Sequence, residues 1–137
     1  MHYDDQNIFA RILRNELPAI KVYEDDQVLA FMDIMPQAEG HTLVIPKAPA
    51  ITLLDLAPEV AAYTIQIVQK VAQAMEKALE VDGIVLMQLS GASAGQTVPH
   101  IHFHLIPSSV HALGKHALQM GDQDKIKALA EKIKAAL

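Results

Sequence analysis

The sequence predicts an α+β domain, and three observations carry that reading. Short apolar runs bounded by turn-forming residues recur at strand length, one long stretch has helical periodicity, and amphipathic helical segments stand near both ends. The 137 residues fit a single domain spanning 1–137 and leave little room for a second. A chain of this size buries roughly two-thirds of its unfolded surface, so a core forms without disulfide or metal staples.

Residues 7–15 place Ile8, Phe9, Ile12 and Leu13 on one helical face, with Asp5 or Asn7 available as N-cap and Pro18 as the stop. Lys21-Val22-Tyr23-Glu24 and Val28-Leu29-Ala30-Phe31-Met32 flank the polar corner Asp25-Asp26, the pattern of a hairpin. Residues 33–40 contain Pro36 and Gly40 and read as a loop, and Thr42-Leu43-Val44-Ile45 is a third strand closed by Pro46. Pro58 suits a first helical turn and Glu59 its positive end. From there to about residue 80, Val60, Ala61, Tyr63, Ile65, Ile67, Val68, Val71, Ala72, Met75 and Leu79 belong to one broad apolar stripe. Gly83 ends that pattern, 84–87 reads as a buried strand, 90–97 as a small polar loop and 98–107 as the last strand. Ile126, Leu129, Ala130, Ile133 and Leu137 predict an amphipathic helix over 122–137. The order is α-β-β-β-α-β-β-α with one long crossover helix.

Composition narrows the function classes. Apolar residues are 51% and charged residues 20% of the chain, a globular rather than a disordered balance. The absence of cysteine excludes disulfides, cysteine–zinc sites and thiol nucleophiles. A net charge of −5 argues against a nucleic acid polymer as partner, because coating phosphates needs clustered Lys and Arg. One nucleotide remains admissible, since backbone amides can hold its phosphate. The opening MHYDDQNIFARILRNE has early acids and no signal-peptide pattern, and no apolar run approaches membrane-spanning length. The expectation is therefore no membrane partner and a cytoplasmic location.

Chemistry concentrates in Pro99-His100-Ile101-His102-Phe103-His104-Leu105-Ile106-Pro107. In a strand, alternate side chains share a face. Ile101, Phe103 and Leu105 then face a core, while His100, His102 and His104 crowd the other side at spacings of ~6.6 Å. Clustered imidazoles disfavour each other's protonated forms and offer little packing, so structure alone gives no reason for them. Two other readings stand beside the catalytic one: a solvated strand face, and zinc ligation, for which His-x-His on a strand is suitable. The preceding loop, Ser90-Gly91-Ala92-Ser93-Ala94-Gly95-Gln96-Thr97, combines small residues, two glycines and several donors and can turn backbone amides toward an anion. It lacks the Gly-Lys-Ser/Thr of a Walker loop. His41, after Gly40, is a turn histidine or one that orients the others.

His100-Ile101-His102-Phe103-His104-Leu105-Ile106 resembles the signature of the histidine triad (HIT) family. Further segments resemble its Hint branch: Ile8-Phe9, Leu17-Pro18, Tyr23-Glu24-Asp25-Asp26, Ala30-Phe31-Met32-Asp33-Ile34, Pro36-Gln37, Gly40-His41-Thr42-Leu43-Val44-Ile45-Pro46-Lys47 and Ala94-Gly95-Gln96-Thr97-Val98. They span residues 7–107 and leave 108–137 as a divergent end. The resemblance implies a HIT-like fold with a five-stranded antiparallel sheet, one long helix and short flanking helices, paired as a homodimer. It implies binding of purine nucleoside monophosphates and hydrolysis at the α-phosphate of nucleoside phosphoramidates through a nucleotidyl-histidine, with no cofactor and no metal. By position, His102 is the nucleophile, and His100, His104 and His41 orient it and assist proton movement. Gly95, Gln96 and Thr97 hold the phosphate, Asp33 binds the ribose, Phe9, Phe31 and Ile34 line the base pocket, and Ser90 or Gln88 takes over a ribose or phosphate contact that asparagine makes in relatives. Cleavage of dinucleoside polyphosphates, as in the Fhit branch, and a binding module with weak catalysis are the alternatives. Two departures mark this chain: Leu89-Ser90 stands where relatives commonly carry asparagine before the loop glycine, and Ser108 follows Pro107 where many have a basic residue. The segment 108–121 has no match and is expected to shape the leaving-group side.

Overall fold

A computed structural model of the chain describes residues 2–114, 121–125, 127–128 and 135. Strands β1 (Lys21–Glu24), β2 (Val28–Met32) and β3 (Thr42–Pro46) follow helix α1 (Ile8–Leu13). Helix α2 (Pro58–Leu79) crosses to β4 (Val85–Gln88), and β5 (Phe103–Ile106) leads into the short helix α3 (Val110–Leu113). The strands form one antiparallel sheet in the order β1-β2-β3-β5-β4, the α+β architecture the sequence predicts.

The two faces of the sheet bury different layers, and the strand period of two explains how. Val28, Ala30 and Val44, with Ile101, Phe103 and Leu105, turn toward α2 and meet Ile67, Val68, Val71 and Met75. Leu29, Phe31, Leu43 and Ile45 turn the other way and pack with Phe9 and Ile12 of α1. Covered on both sides, β2 and β3 lack the polar alternation of a half-exposed strand. Each aliphatic side chain so buried contributes about 1.5–3 kcal/mol, which anchors the long helix α2.

Asp25 fastens the hairpin turn to α2. Its carboxylate accepts the amides of Gln27 and Val28 and the hydroxyls of Tyr23 and Tyr63. Burial raises that carboxyl, but the four donors outweigh it and hold it at about 2.

Boundaries differ from the sequence reading where side chains or prolines intervene. Asn7 is the cap of α1, accepting the Ala10 amide at 2.9 Å, and Asn15 takes a left-handed conformation (φ 61°), so the helix ends at Leu13 rather than near 15. The last strand, expected over 98–107, pairs only at Phe103–Ile106. Pro99 has no amide proton, the Ile101 amide goes to the Ala50 carbonyl, and the Pro46 carbonyl is taken by the His100 ring. The sequence reading missed α3, which Ser109 caps through the Ala112 amide. The expected helix over 122–137 lies largely outside the described residues. Among those described, no helix is long and apolar enough to cross a membrane.

Candidate active site

Alternation about β5 sends Ile101, Phe103 and Leu105 into the α2 layer and leaves the three histidines on the opposite face. Backbone and side-chain partners then fix each ring's tautomer. His100 is fully buried. Its Nε2–H donates to the Pro46 carbonyl at 2.8 Å, so Nδ1 is the acceptor for the Tyr3 hydroxyl at 2.5 Å. The Nδ1–H of His102 donates to the His100 carbonyl at 2.7 Å, which leaves the lone pair on Nε2.

A second chain of contacts ends on His104. The Gln37 amide donates to His41 Nδ1 at 3.1 Å, so His41 carries its proton on Nε2 and donates to His104 Nδ1 at 2.9 Å. His104 therefore carries its own proton on Nε2. That nitrogen is the buried side-chain polar atom left without a partner among the described residues. His41 reaches this place because Gly40 turns at φ 87°, where a Cβ would come within 2.6 Å of Leu79 Cδ1 and 3.1 Å of Pro107 Cγ.

Burial keeps all four rings neutral near pH 7. Desolvation is the largest cause of the downward shift at His41, His100, His102 and His104. Asp33, with Oδ2 3.5 Å from His41 Nε2, opposes it at His41, while His102 and His41 add to it at His104, which falls to about 4.

His102, His104 and His41 open onto a cleft of about 660 Å³. Strand register lays one row of side chains across its floor, Phe31 opposite Leu43, Leu43 opposite His104, and His104 opposite Met87. Phe9 leans in from α1, edge-on to both Phe31 and His102 at centroid distances of 5.3 and 4.9 Å. Of the expected site residues, Asp33, Ile34, Phe9, Phe31, Gly95 and Thr97 also line this cleft. His100 lies behind it. Ser90 and Gln96 line a neighbouring hollow instead.

Hydrogen bonding explains the placement of those two. The Gln96 amide group donates to the Ile51 and Val98 carbonyls, and its oxygen accepts from the Gly91 amide; the Ser90 hydroxyl goes to Gln88. The amides of Ala94, Gly95 and Gln96 also close on carbonyls within the loop, so the expected convergence of consecutive amides on one point is not the geometry seen. Gln96 braces a loop whose Gly95 sits at φ 108° and whose Thr97 stands at the cleft. Sequence reasoning missed Tyr3, Met87, Leu43 and the carbonyl of Pro46. Strand register alone could have indicated Leu43 and Met87, once His104 was placed.

The triad does not converge as a zinc set, because both nitrogens of His100 and Nδ1 of His102 have polar partners. Ligand atoms of Asp33, His41 and His104 do lie within 4.8 Å of one another. The His41–His104 nitrogens are 2.9 Å apart, a hydrogen-bond distance.

The chain matches the HIT domain family model over residues 14–111. It is 36% identical over 133 residues to adenosine 5′-monophosphoramidase HNT1 of Saccharomyces cerevisiae, covering 95% of this chain and 82% of that one. It is 36% identical over 120 residues to adenylylsulfatase HINT3 of Arabidopsis thaliana, covering 82% and 61%. The crystal structure of a Hit-like protein from Bartonella henselae is 48% identical, with a TM-score of 0.76 over 99% of this chain and 100% of that one. With this match across most of its length, the chain belongs to the HIT domain family, in its Hint-like branch.

Proposed function

We propose that the protein hydrolyses purine nucleoside phosphoramidates at the α-phosphate, with His102 as nucleophile and a nucleotidyl-histidine as intermediate. One observation carries the reading: His102, with a lone pair on Nε2, and His104, whose buried Nε2–H has no partner among the described residues, line the same cleft. A nucleophile and a donor for the charge that develops on a phosphoryl oxygen are the two groups this chemistry requires. The relatives named as a monophosphoramidase and an adenylylsulfatase support a substrate with an adenylyl group.

The base fits against Phe9, Phe31 and Ile34, the ribose hydroxyls against Asp33, and the phosphate against Thr97, Gly95 and His104. His102 Nε2 forms a bond to phosphorus as the P–N bond breaks. The proton on the departing amine enters with the substrate, whose bridging nitrogen is protonated first, because His104 is neutral near pH 7. The His100 carbonyl holds the His102 Nδ1–H and supports the positive charge on the substituted ring. Water then attacks phosphorus, His102 regains its Nε2 lone pair, AMP leaves, and the proton shed by water passes to solvent.

The same reading includes a homodimer. Of the two edge strands, β1 carries Lys21 and Glu24, charges that guard an edge, whereas β4 is Val85-Leu86-Met87-Gln88 with no charge and an exposed Leu86. Pairing through β4 therefore fits, and light scattering of the purified protein tests it.

The activity is tested by turnover of an AMP alkylamide with chelator present, beside His102→Ala. Turnover that survives chelation and falls at least about 10⁴-fold in the variant is expected. Residual activity near the wild-type level in a folded His102→Ala protein would overturn the nucleophile assignment.

A further inference from the structure

The hydrolase reading leaves the second substituent on phosphorus undefined, and the cleft has a wall for it. The sheet row runs Phe31, Leu43, His104, Met87, so His104 separates an aromatic side from the edge strand β4. Phe9, Ile12 and Phe31 occupy the aromatic side, where a purine belongs. A group leaving phosphorus away from the nucleoside meets the other side, and there Met87 and Leu89 line the cleft. Leu89 stands one residue beyond β4, with its Cδ1 3.4 Å from where a Cβ on Gly95 would lie, so it abuts the phosphate loop.

Charge points the same way. Among the described residues lining the cleft there is no Lys or Arg, and the one carboxylate is Asp33. A sulfate or a further phosphate placed against Met87 and Leu89 would lose its water with no countercharge, whereas an alkyl or aryl chain gains by losing its own.

We propose that Met87 and Leu89 form a leaving-group subsite for an uncharged, apolar amine, and that these two side chains select it over anionic leaving groups. The proposal rests on the hydrolase reading and names its substrate class. It separates this chain from a sulfatase or a dinucleoside polyphosphate hydrolase by a property of the wall, not of the nucleophile.

The test uses two AMP amides of matched amine basicity, one of n-pentylamine and one of γ-aminobutyrate, which ends in a carboxylate. Wild-type protein should favour the pentylamide by at least about tenfold in kcat/KM, the scale at which small apolar differences are read by a pocket. Leu89→Asn should narrow that ratio about fivefold, and Met87→Lys, which supplies a cation, should bring it to about one. A wild-type ratio of one or below overturns the proposal. So does a tenfold preference that both variants leave untouched, because the selecting wall is then elsewhere. Turnover of neither amide overturns the hydrolase reading itself, and the subsite with it.

Discussion

Ile101, Phe103 and Leu105 on one side of β5 and the residues leading into it, and His100, His102 and His104 on the other, alternate along the same few residues but obey different rules. The first set sits in the α2 layer with exposures of 0%, 7% and 1%, each side chain contributing through lost apolar surface. His100 and His102 are as buried and His104 partly so, yet each imidazole brings polar atoms that demand partners, and one on His104 has none among the described residues. The apolar face keeps the strand in place, and the histidine face spends part of that stability on holding neutral imidazoles ready.

Breaking the apolar side should produce the larger loss of stability. Ile101→Ala removes a fully buried side chain between β3 and α2 and should destabilise by about 2–5 kcal/mol, measured by urea unfolding. A loss under about 1 kcal/mol would show that the face tolerates a cavity and that the contrast between the two sides is overstated.

The histidine side should reveal itself through pH. An unfolded imidazole takes its proton near 6.5, whereas folded His104 does so only at about 4, and His41, His100 and His102 are shifted in the same direction. Between those values the unfolded chain binds more protons, so this contribution to stability is complete above pH 6.5 and lost as pH falls toward 4. Activity should follow, because protonated His102 cannot attack phosphorus. The acid limb of kcat/KM is expected below 6.5. A limb at or above 6.5 would mean that the ring is solvated or paired with a carboxylate in solution.

The contrast also explains what the sequence showed. Strict alternation from His100 to Leu105 disclosed both faces, because a period of two needs no tertiary information. The long helix and the hairpin were legible for the same reason, through Ile67, Val68, Val71 and Met75 at helical spacing and Asp25-Asp26 between two apolar runs. The end of the last strand was not. Residues 98–102 have strand-like composition, but the His100 ring occupies the carbonyl of Pro46, and that competition depends on a partner 54 positions away. The bonds of Gln96 to Gly91, Ile51 and Val98 and of Ser90 to Gln88 were likewise illegible, since a polar residue in a small-residue loop looks the same whether it braces the loop or faces a ligand. The tautomers of His102 and His104 were illegible, being set by carbonyls and amides that every residue possesses.

The smallest expected effect lies where the N-terminus meets the histidine face. Tyr3 donates to His100 Nδ1 across 97 positions of sequence. Tyr3→Phe leaves that buried lone pair without a donor, a loss of about 1 kcal/mol and a Tm lower by about 3–5 °C. The consequence for catalysis is indirect. The His100 carbonyl holds His102 Nδ1–H, so a small shift of His100 misaims the Nε2 lone pair without touching the base or ribose contacts. A kcat reduced about two- to fivefold at nearly unchanged KM is therefore expected. If kcat stays at the wild-type value while Tm falls, Tyr3 only closes the edge of the core, and His100 holds His102 in place through Pro46 alone.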